Sequence, residues 1–170
     1  MELTREEAIV LELMKLMKKA GRRVDKLALE KLVFLVAHGE FNYRGELVGL
    51  RVFPRIDVDY RIYFRGVHSR DVYEIIERLI EKGLVEERGD TYEVRSNVRA
   101  QLPEALAKIL SYVARLAGLS PKELERLTNE LLGIRDDLSK TLVFNASVIK
   151  LLKAREEARR LRQQGLIVDV

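Results

Sequence analysis

The sequence contains no cysteine, so disulfides, zinc-thiolate sites and thiol catalysis are all excluded. It also lacks a long hydrophobic run, because the longest uninterrupted apolar stretch, Leu32 to Ala37, is far too short to span a bilayer. The first residues, Met1 to Glu7, do not show the basic-then-apolar pattern of a targeting signal. These absences predict a cytoplasmic protein that does not associate with a membrane.

Residues for catalysis and cofactor binding are equally sparse. The ten glycines are scattered as caps and turns, so there is no glycine-rich phosphate loop. His38 and His68 are the only histidines, and nothing spaces a third metal ligand near either of them. His68 and Ser69 are adjacent, but a serine at a helix cap uses its hydroxyl on the backbone, so the two are not a nucleophile pair. We therefore expect no enzyme activity, no cofactor and no metal.

What is present is a charged globular composition. The chain has 170 residues, of which 47% are hydrophobic and 34% charged, enough for one domain with a sizeable core. Glu, Lys and Arg dominate while Gln and Asn are scarce, a bias seen in proteins from hot environments. The net charge of +4 is uneven: residues 44–70 contain six arginines against three acids, whereas residues 71–93 contain eight acids against three bases.

Residues 59–94 predict the organising module. They contain a short alternating run, a glycine turn, Ser69 as a helix cap, an amphipathic helix to Lys82, and two strand-like runs at 84–87 and 91–94. Strand, helix and hairpin in this order are typical of a winged helix. We predict a mainly α (α+β) fold, with a winged-helix-like module, a small antiparallel sheet and additional helices.

One domain is expected over residues 1–170. It comprises N-terminal helices in 1–38, the small sheet, winged-helix core and wing in 39–95, and C-terminal helices with a tail in 96–170. Caps and apolar periodicity predict helices at Thr4–Ala20, where Thr4 and Glu7 form a capping box, and at Asp25–Ala37, Pro103–Ala117, Ser120–Gly133 and Ser139–Gln164. The apolar tail Leu166–Val170 is expected to add a strand to a sheet, in this chain or in a second copy.

The segment 41–64 has a distinct composition, because it holds six of the eleven aromatic residues, interleaved with arginines. It predicts strands at 47–53 and 58–64. We expect the aromatics to form the core of a short sheet and the arginines to be solvated. The alternative is a single-stranded nucleic-acid surface, which pairs phosphates with arginine and stacks bases on aromatics. The candidate residues are Arg51, Arg55, Arg61 and Arg65.

Duplex DNA is a second possible partner, because the helix 70–82 of a winged helix can enter the major groove. Its polar positions are four acids against three bases, and an acidic face repels the phosphate backbone. His68 and Arg70, at its start, remain candidate contacts.

In the last helix, a basic stripe at i, i+4 and i+7 is the other candidate surface for nucleic acid, although Glu156 and Glu157 could neutralise it locally. The stripe consists of Arg155, Arg159 and Arg162.

Three segments resemble the Panacea family, the group that includes SocA-like antitoxins and YwgA-type proteins. Residues 29–35 (LEKLVFL) are similar to its "KLxKLLYL" helix, and 63–69 (YFRGVHS), with the following helix to Val85, to its segment of aromatic, Gly-Pro-aromatic-Ser and helix. Residues 119–124 (LSPKEL) resemble a later helix start. The resemblance spans about residues 7 to 132. It implies a non-enzymatic helical fold with a winged-helix-like hairpin, used for protein recognition in toxin neutralisation or regulation.

Three functional hypotheses follow. The first is a non-catalytic regulatory or adaptor protein of Panacea type that binds a protein partner, either a toxin or a second copy of itself. The second is a winged-helix DNA-binding transcriptional regulator. The third is a binder of RNA or of another single-stranded nucleic acid through the arginine and aromatic surface.

Overall fold

Helices form where apolar periodicity and capping residues coincide. The computed structural model describes residues 2–95 and 97–166. Of these residues, 54% are in helices and 15% in strands. The helices are α1 (Arg5–Lys19), α2 (Lys26–His38), α3 (Arg70–Glu81), α4 (Glu104–Ala114), α5 (Pro121–Leu131), α6 (Asp137–Leu142) and α7 (Val148–Gln163), with a 3-10 turn at Arg115–Gly118. The strands are β1 (Val24–Asp25), β2 (Gly39–Phe41), β3 (Leu47–Leu50), β4 (Arg61–Tyr63), β5 (Gly66–His68), β6 (Val85–Arg88) and β7 (Thr91–Val94).

The N-caps predicted at Thr4, Ser69 and Ser120 are confirmed, and Asp25 caps α2 in the same way. The side chains of Thr4, Asp25, Ser69 and Ser120 each accept a backbone N–H from the first turn of α1, α2, α3 and α5. The other hydrogen bond of the predicted capping box, from the Thr4 N–H to the Glu7 carboxylate, was predicted wrongly. The Glu7 carboxylate is buried and instead accepts from Lys82 Nζ at 2.5 and 2.7 Å, which ties α1 to the end of α3.

The winged helix is present, but it is assembled differently from the prediction. The wing, β6 and β7, is confirmed, and its third strand is β1, with the order β1-β7-β6. The strand predicted over 58–64 is therefore not part of this sheet. Because β1 lies between α1 and α2, those two helices belong to the winged helix instead of preceding it, and residues 39–69 are an insertion before α3.

The insertion contains two short ribbons in place of the predicted strands 47–53 and 58–64. β3 ends at Leu50 and pairs with β2, whereas β4 begins only at Arg61 and pairs with β5. The backbone between them turns away to cover the end of α2: the Arg51 N–H donates to His38 O and the Arg55 N–H to Ala37 O. At the β4–β5 turn Gly66 has φ +90, and α5 packs so closely that a Cβ there would lie 3.2 Å from Glu125 Cγ.

The core is built around α2, as its apolar composition predicts. Every residue of α2 from Ala28 to His38 is buried. The expectation that the aromatics of 41–64 form a sheet core is correct for Tyr60, which is fully buried and lies edge-on to Phe34, with ring centroids 5.1 Å apart. It is wrong for three others, because two-stranded ribbons leave loop and turn side chains uncovered. The exposed rings are those of Tyr43, Phe53 and Phe64.

The predicted last helix, 139–164, is in fact two helices. α6 ends at Leu142 and α7 begins at Val148, and between them Asn145 has φ +62. The break is held by the insertion, since the Asn145 N–H donates to Ile62 O and the Val148 N–H to Tyr60 O. Apart from Leu166, the predicted tail strand lies outside the described residues. No helix within residues 2–95 and 97–166 has both the length and the apolar character needed to cross a bilayer.

Candidate functional site: a cleft beside His68

A buried carboxylate lies at the junction of α2 and the start of α3. The side chain of Glu30 is only 3% exposed. Its Oε1 lies 2.7 Å from His68 Nδ1 and accepts the Ser69 N–H at 2.9 Å, while Oε2 accepts the Tyr73 hydroxyl at 3.3 Å. A carboxylate taken out of water this far requires such partners to offset its lost hydration. Glu30 therefore fixes the position of the His68–Ser69 segment.

The contact with Glu30 determines which nitrogen of His68 is available. Because Glu30 Oε1 is an acceptor, Nδ1 carries the hydrogen, and the neutral ring presents an unprotonated Nε2 on its other side. The His68 side chain is 41% exposed. Its ring is held by Tyr63 and Tyr73, whose centroids lie 5.0 and 5.6 Å away. The arrangement is an oriented imidazole whose Nε2 lies on the side of the ring opposite Glu30.

Neighbouring tyrosines keep their protons. Burial, and then the charge of Glu30, raise the pKa of both Tyr60 and Tyr73, so their hydroxyls remain donors. The Tyr60 hydroxyl donates to the backbone O of Glu30 at 2.8 Å. Lys31 is buried beside the carboxylate and donates to Val67 O at 2.8 Å; burial lowers its pKa, which Glu30 partly opposes. The support behind His68 is thus a set of fixed donors.

In front of His68 lies a cleft of about 480 Å³. It is lined by Asp59, Arg61, Tyr63, His68, Arg70 and Asp71. Two of its charges are already paired, since Arg61 Nε lies 3.5 Å from Asp59 Oδ2. The Asp59 N–H donates to Asp71 Oδ2 at 2.8 Å. Arg70 is exposed, and its side chain makes no hydrogen bond or ion pair within the described part of the chain.

Exposed aromatic rings adjoin the cleft. Phe64 and Phe144 are 74% and 41% exposed, and their ring centroids are 4.7 Å apart. Tyr63 joins them to the cleft, because its ring also lies edge-on to Phe144 at 5.5 Å. We call Tyr63, Phe64 and Phe144 the aromatic patch. On α6, Leu138 and Leu142 add exposed apolar side chains one turn apart.

The predicted candidates between Arg51 and Arg70 divide into two groups. Arg61, His68 and Arg70 line the cleft, and Arg65 is exposed in the adjacent β4–β5 turn. Arg51 and Arg55 lie elsewhere. Arg55 Nη1 donates to Val36 O and Gly39 O, where it binds the carbonyls at the C-terminus of α2, and Arg51 Nε lies 3.7 Å from Glu40.

The predicted basic stripe on α7 lines a separate groove. Arg155, Arg159 and Arg162 border about 450 Å³ of space. Arg155 donates to Leu131 O at 2.8 Å, and Glu157 pairs with Arg160, which is outside the stripe. The groove also contains apolar side chains from the insertion, α5 and α7, namely Leu50, Val52, Leu131 and Leu152.

The surface of the winged helix itself is occupied by internal ion pairs. Arg88 binds Glu93 at 2.8 Å and lies 3.6 Å from Glu86. Three further pairs lie on the winged helix: Arg95 with Glu86 at the wing, Lys26 of α2 with Glu87 of the wing, and Lys82 at the end of α3 with Glu7 of α1. Lys82, Arg88 and Arg95 are thus held by acids of the winged helix. Arg70 and Arg78, on α3, form no ion pair within the described residues.

The sequence reasoning missed Glu30 and Tyr73. Glu30 lies 38 positions before His68, so no local motif joins them, although an acid inside a helix that is apolar almost all round requires a buried partner. Within the described residues, no group of three or more potential ligands could hold a metal ion. No protein-family model matches the chain, and neither a curated protein nor a solved structure shows significant similarity to it. The Panacea resemblance therefore stays a prediction.

Proposed function

We propose that this chain is a non-catalytic regulatory or adaptor protein of the cytoplasm that acts by binding a protein partner through the aromatic patch. The observation that carries this proposal is the contact between the exposed rings of Phe64 and Phe144. Aromatic and arginine side chains are enriched at the energetic centres of protein interfaces, and Arg61 and Arg65 flank the patch. The resemblance to the Panacea family agrees with a toxin or a second copy as that partner.

The alternative of duplex DNA recognition is less well supported, although the fold includes a winged helix. α3 and the wing carry an excess of acids. Lys82, Arg88 and Arg95 are moreover engaged in the ion pairs described above. Phosphate neutralisation supplies most non-specific DNA affinity, so this surface lacks the main attractive contribution. The proposal therefore assigns recognition to the insertion.

A single-stranded RNA is the second candidate partner. The specific observation in its favour is that Tyr63, Phe64 and Phe144 form one group of rings beside Arg61 and Arg65. Bases stack on such rings, and arginines pair with the phosphates between them.

Site-specific cross-linking in the native host tests the proposal. A photoreactive phenylalanine at position 64 should capture one discrete protein, and Phe144→Ser should abolish that product because it removes half of the ring pair. The matched control is the same photoreactive residue at position 43, since Tyr43 is an exposed aromatic outside the patch. Equal products from both positions would contradict the proposal. A cross-link to RNA, with salt-dependent retardation of single-stranded RNA in gels, would favour the second candidate.

A further inference from the structure

We propose that the cleft beside His68 is a binding site for a ribonucleoside monophosphate, a small-molecule site next to the partner surface proposed above, with Tyr63 common to both. The burial of the Glu30 carboxylate carries a desolvation cost. A buried carboxylate is seldom the most stable choice for a core position, because an apolar side chain of similar volume avoids its desolvation. Here the carboxylate orients one surface imidazole through a 2.7 Å contact, as the supporting residues of binding sites do.

Arg70 provides the anion-binding group of the cleft. Its guanidinium is exposed at the cleft and has no internal partner within the described residues. A guanidinium presents a planar fork of donors that matches the oxygens of a phosphate. Arg61 lies at the same cleft, but Asp59 and the Asn145 carbonyl already engage it. Arg70 is therefore the guanidinium of the cleft that is left to bind a ligand, and one guanidinium suits one phosphate group.

The other lining groups are acceptors. His68 Nε2 is unprotonated in the neutral ring, and Asp59 and Asp71 each contribute carboxylate oxygens. Such acceptors recognise hydroxyl groups, and a carboxylate that binds ribose hydroxyls is a recurrent device in nucleotide sites. The same carboxylates repel a continuous polyanion, so a nucleic-acid backbone is a poorer fit than a single phosphate monoester that carries hydroxyls.

The size of the cleft and its aromatic wall indicate a ligand that also carries a base. A volume of about 480 Å³ falls within the range of small-molecule pockets. The Tyr63 ring, fixed between His68 and Phe144, lines one side and offers an aromatic surface for a base. Phosphate, sugar hydroxyls and base each have a chemically matched group in one cleft.

Calorimetric titration of the full chain tests this site. Adenosine, guanosine, cytidine and uridine monophosphates are compared with the 2′-deoxynucleotides, the nucleosides, ribose 5-phosphate and inorganic phosphate. We expect at least one ribonucleotide to bind about tenfold more tightly than its deoxy or unphosphorylated analogue, the factor for one charge-assisted hydrogen bond. Equal affinity for ribose 5-phosphate or for inorganic phosphate would overturn the assignment. Absence of binding by all four ribonucleotides at millimolar concentration would overturn the site itself.

Variants locate the binding. Arg70→Gln should weaken ribonucleotide binding by about tenfold or more, because it removes the charge that holds the phosphate. Arg78→Gln is the matched control, since Arg78 is exposed on the same helix outside the cleft. Both residues are on the surface, so both variants should fold. In NMR spectra the His68 ring signals should shift on saturation; unchanged signals, or equal losses in the two variants, would contradict the location.

Discussion

Two regions of this protein use their charged and aromatic residues differently. On the winged helix, the wing pairs its acids with bases, as in Arg88 with Glu93, while α3 exposes acids on its outer face. In the insertion of residues 39–69, arginines and aromatic rings remain exposed around a cleft, supported from behind by the buried Glu30. The contrast teaches that the presence of a winged helix does not define the surface of recognition. A fold is a scaffold, and function resides in the site that is built on it.

Ring truncation tests the distinction between core and surface within the insertion, and it should give the largest effect. Tyr60→Ala removes a fully buried ring and its bond to Glu30 O, so we expect a loss of about 4 kcal/mol in the free energy of unfolding. Phe64→Ala, at an exposed ring, should change it by less than about 0.5 kcal/mol. Urea unfolding measures both, and similar losses would contradict the assignment of Phe64 to a free surface.

Removal of the carboxylate behind the cleft should have the next largest effect. Glu30→Ala leaves the Ser69 N–H and the Tyr73 hydroxyl without their acceptor, at a cost of about 3 kcal/mol. Glu74→Ala, on the exposed face of α3, is the control and should change stability by less than about 0.5 kcal/mol. The two variants are compared by chemical denaturation. A loss at Glu30 no larger than the control would show that the network does not support the site.

Charge reversal on α3 tests whether the acids of the winged helix prevent it from binding duplex DNA. We expect the triple variant Glu74→Lys, Glu77→Lys, Glu81→Lys to bind duplex DNA at low salt at least about tenfold more tightly than the wild type, with affinity that falls as salt rises. The corresponding triple Glu→Gln variant should show an intermediate gain, because it removes repulsion without adding attraction. Gel-shift titrations at two salt concentrations test this. Tight wild-type binding to duplex DNA would contradict the proposed role of the acids.

The smallest effect should be a pH dependence of stability that comes from His38, where α2 meets the insertion. His38 ends α2, its Nδ1 lies 2.9 Å from Arg51 O, and burial lowers the pKa of the ring. The unfolded state therefore takes up a proton more readily than the folded state. The contribution of neutral His38 is complete above about pH 6.5 and is lost as the pH falls toward the lowered pKa.

A His38→Gln variant isolates this contribution. Its melting temperature should decrease less than that of the wild type between pH 7.5 and 5, since the carboxylates that also titrate are common to both proteins. Thermal unfolding followed by circular dichroism provides the measurement. Parallel curves for the two proteins would exclude His38 as the cause.

Local signals predicted much of the architecture. The starts of α1, α2, α3 and α5 were predictable because each cap and its helix are adjacent in sequence, and the wing was predictable from its turn residues. The pairing of β1 with β7 was not, because two residues give no periodicity and their partner lies nearly 70 positions away. The break at Asn145 was missed for the same reason, since hydrogen bonds from the insertion hold it.

Only part of the candidate site could be predicted from the sequence. Arg61, His68 and Arg70 stood out because they are close together in a segment rich in arginine and aromatics. Phe144 reaches the site only through the break between α6 and α7, so its contact with Phe64 depends on tertiary packing. The arginines of residues 44–70 have no distinguishing local motif, yet Arg55 binds the end of α2 while the Arg70 side chain is free.

By itself, the sequence determined the helix caps, the apolar α2, the wing and the division between a basic, aromatic segment and an acidic helix on either side of Ser69. These features depend on residues within a few positions of one another. Tertiary structure alone decided that Glu30 would orient His68, that the wing would pair with β1, and which rings would be covered. Those outcomes depend on groups distant in sequence, and burial makes such contacts strong because water no longer competes for them.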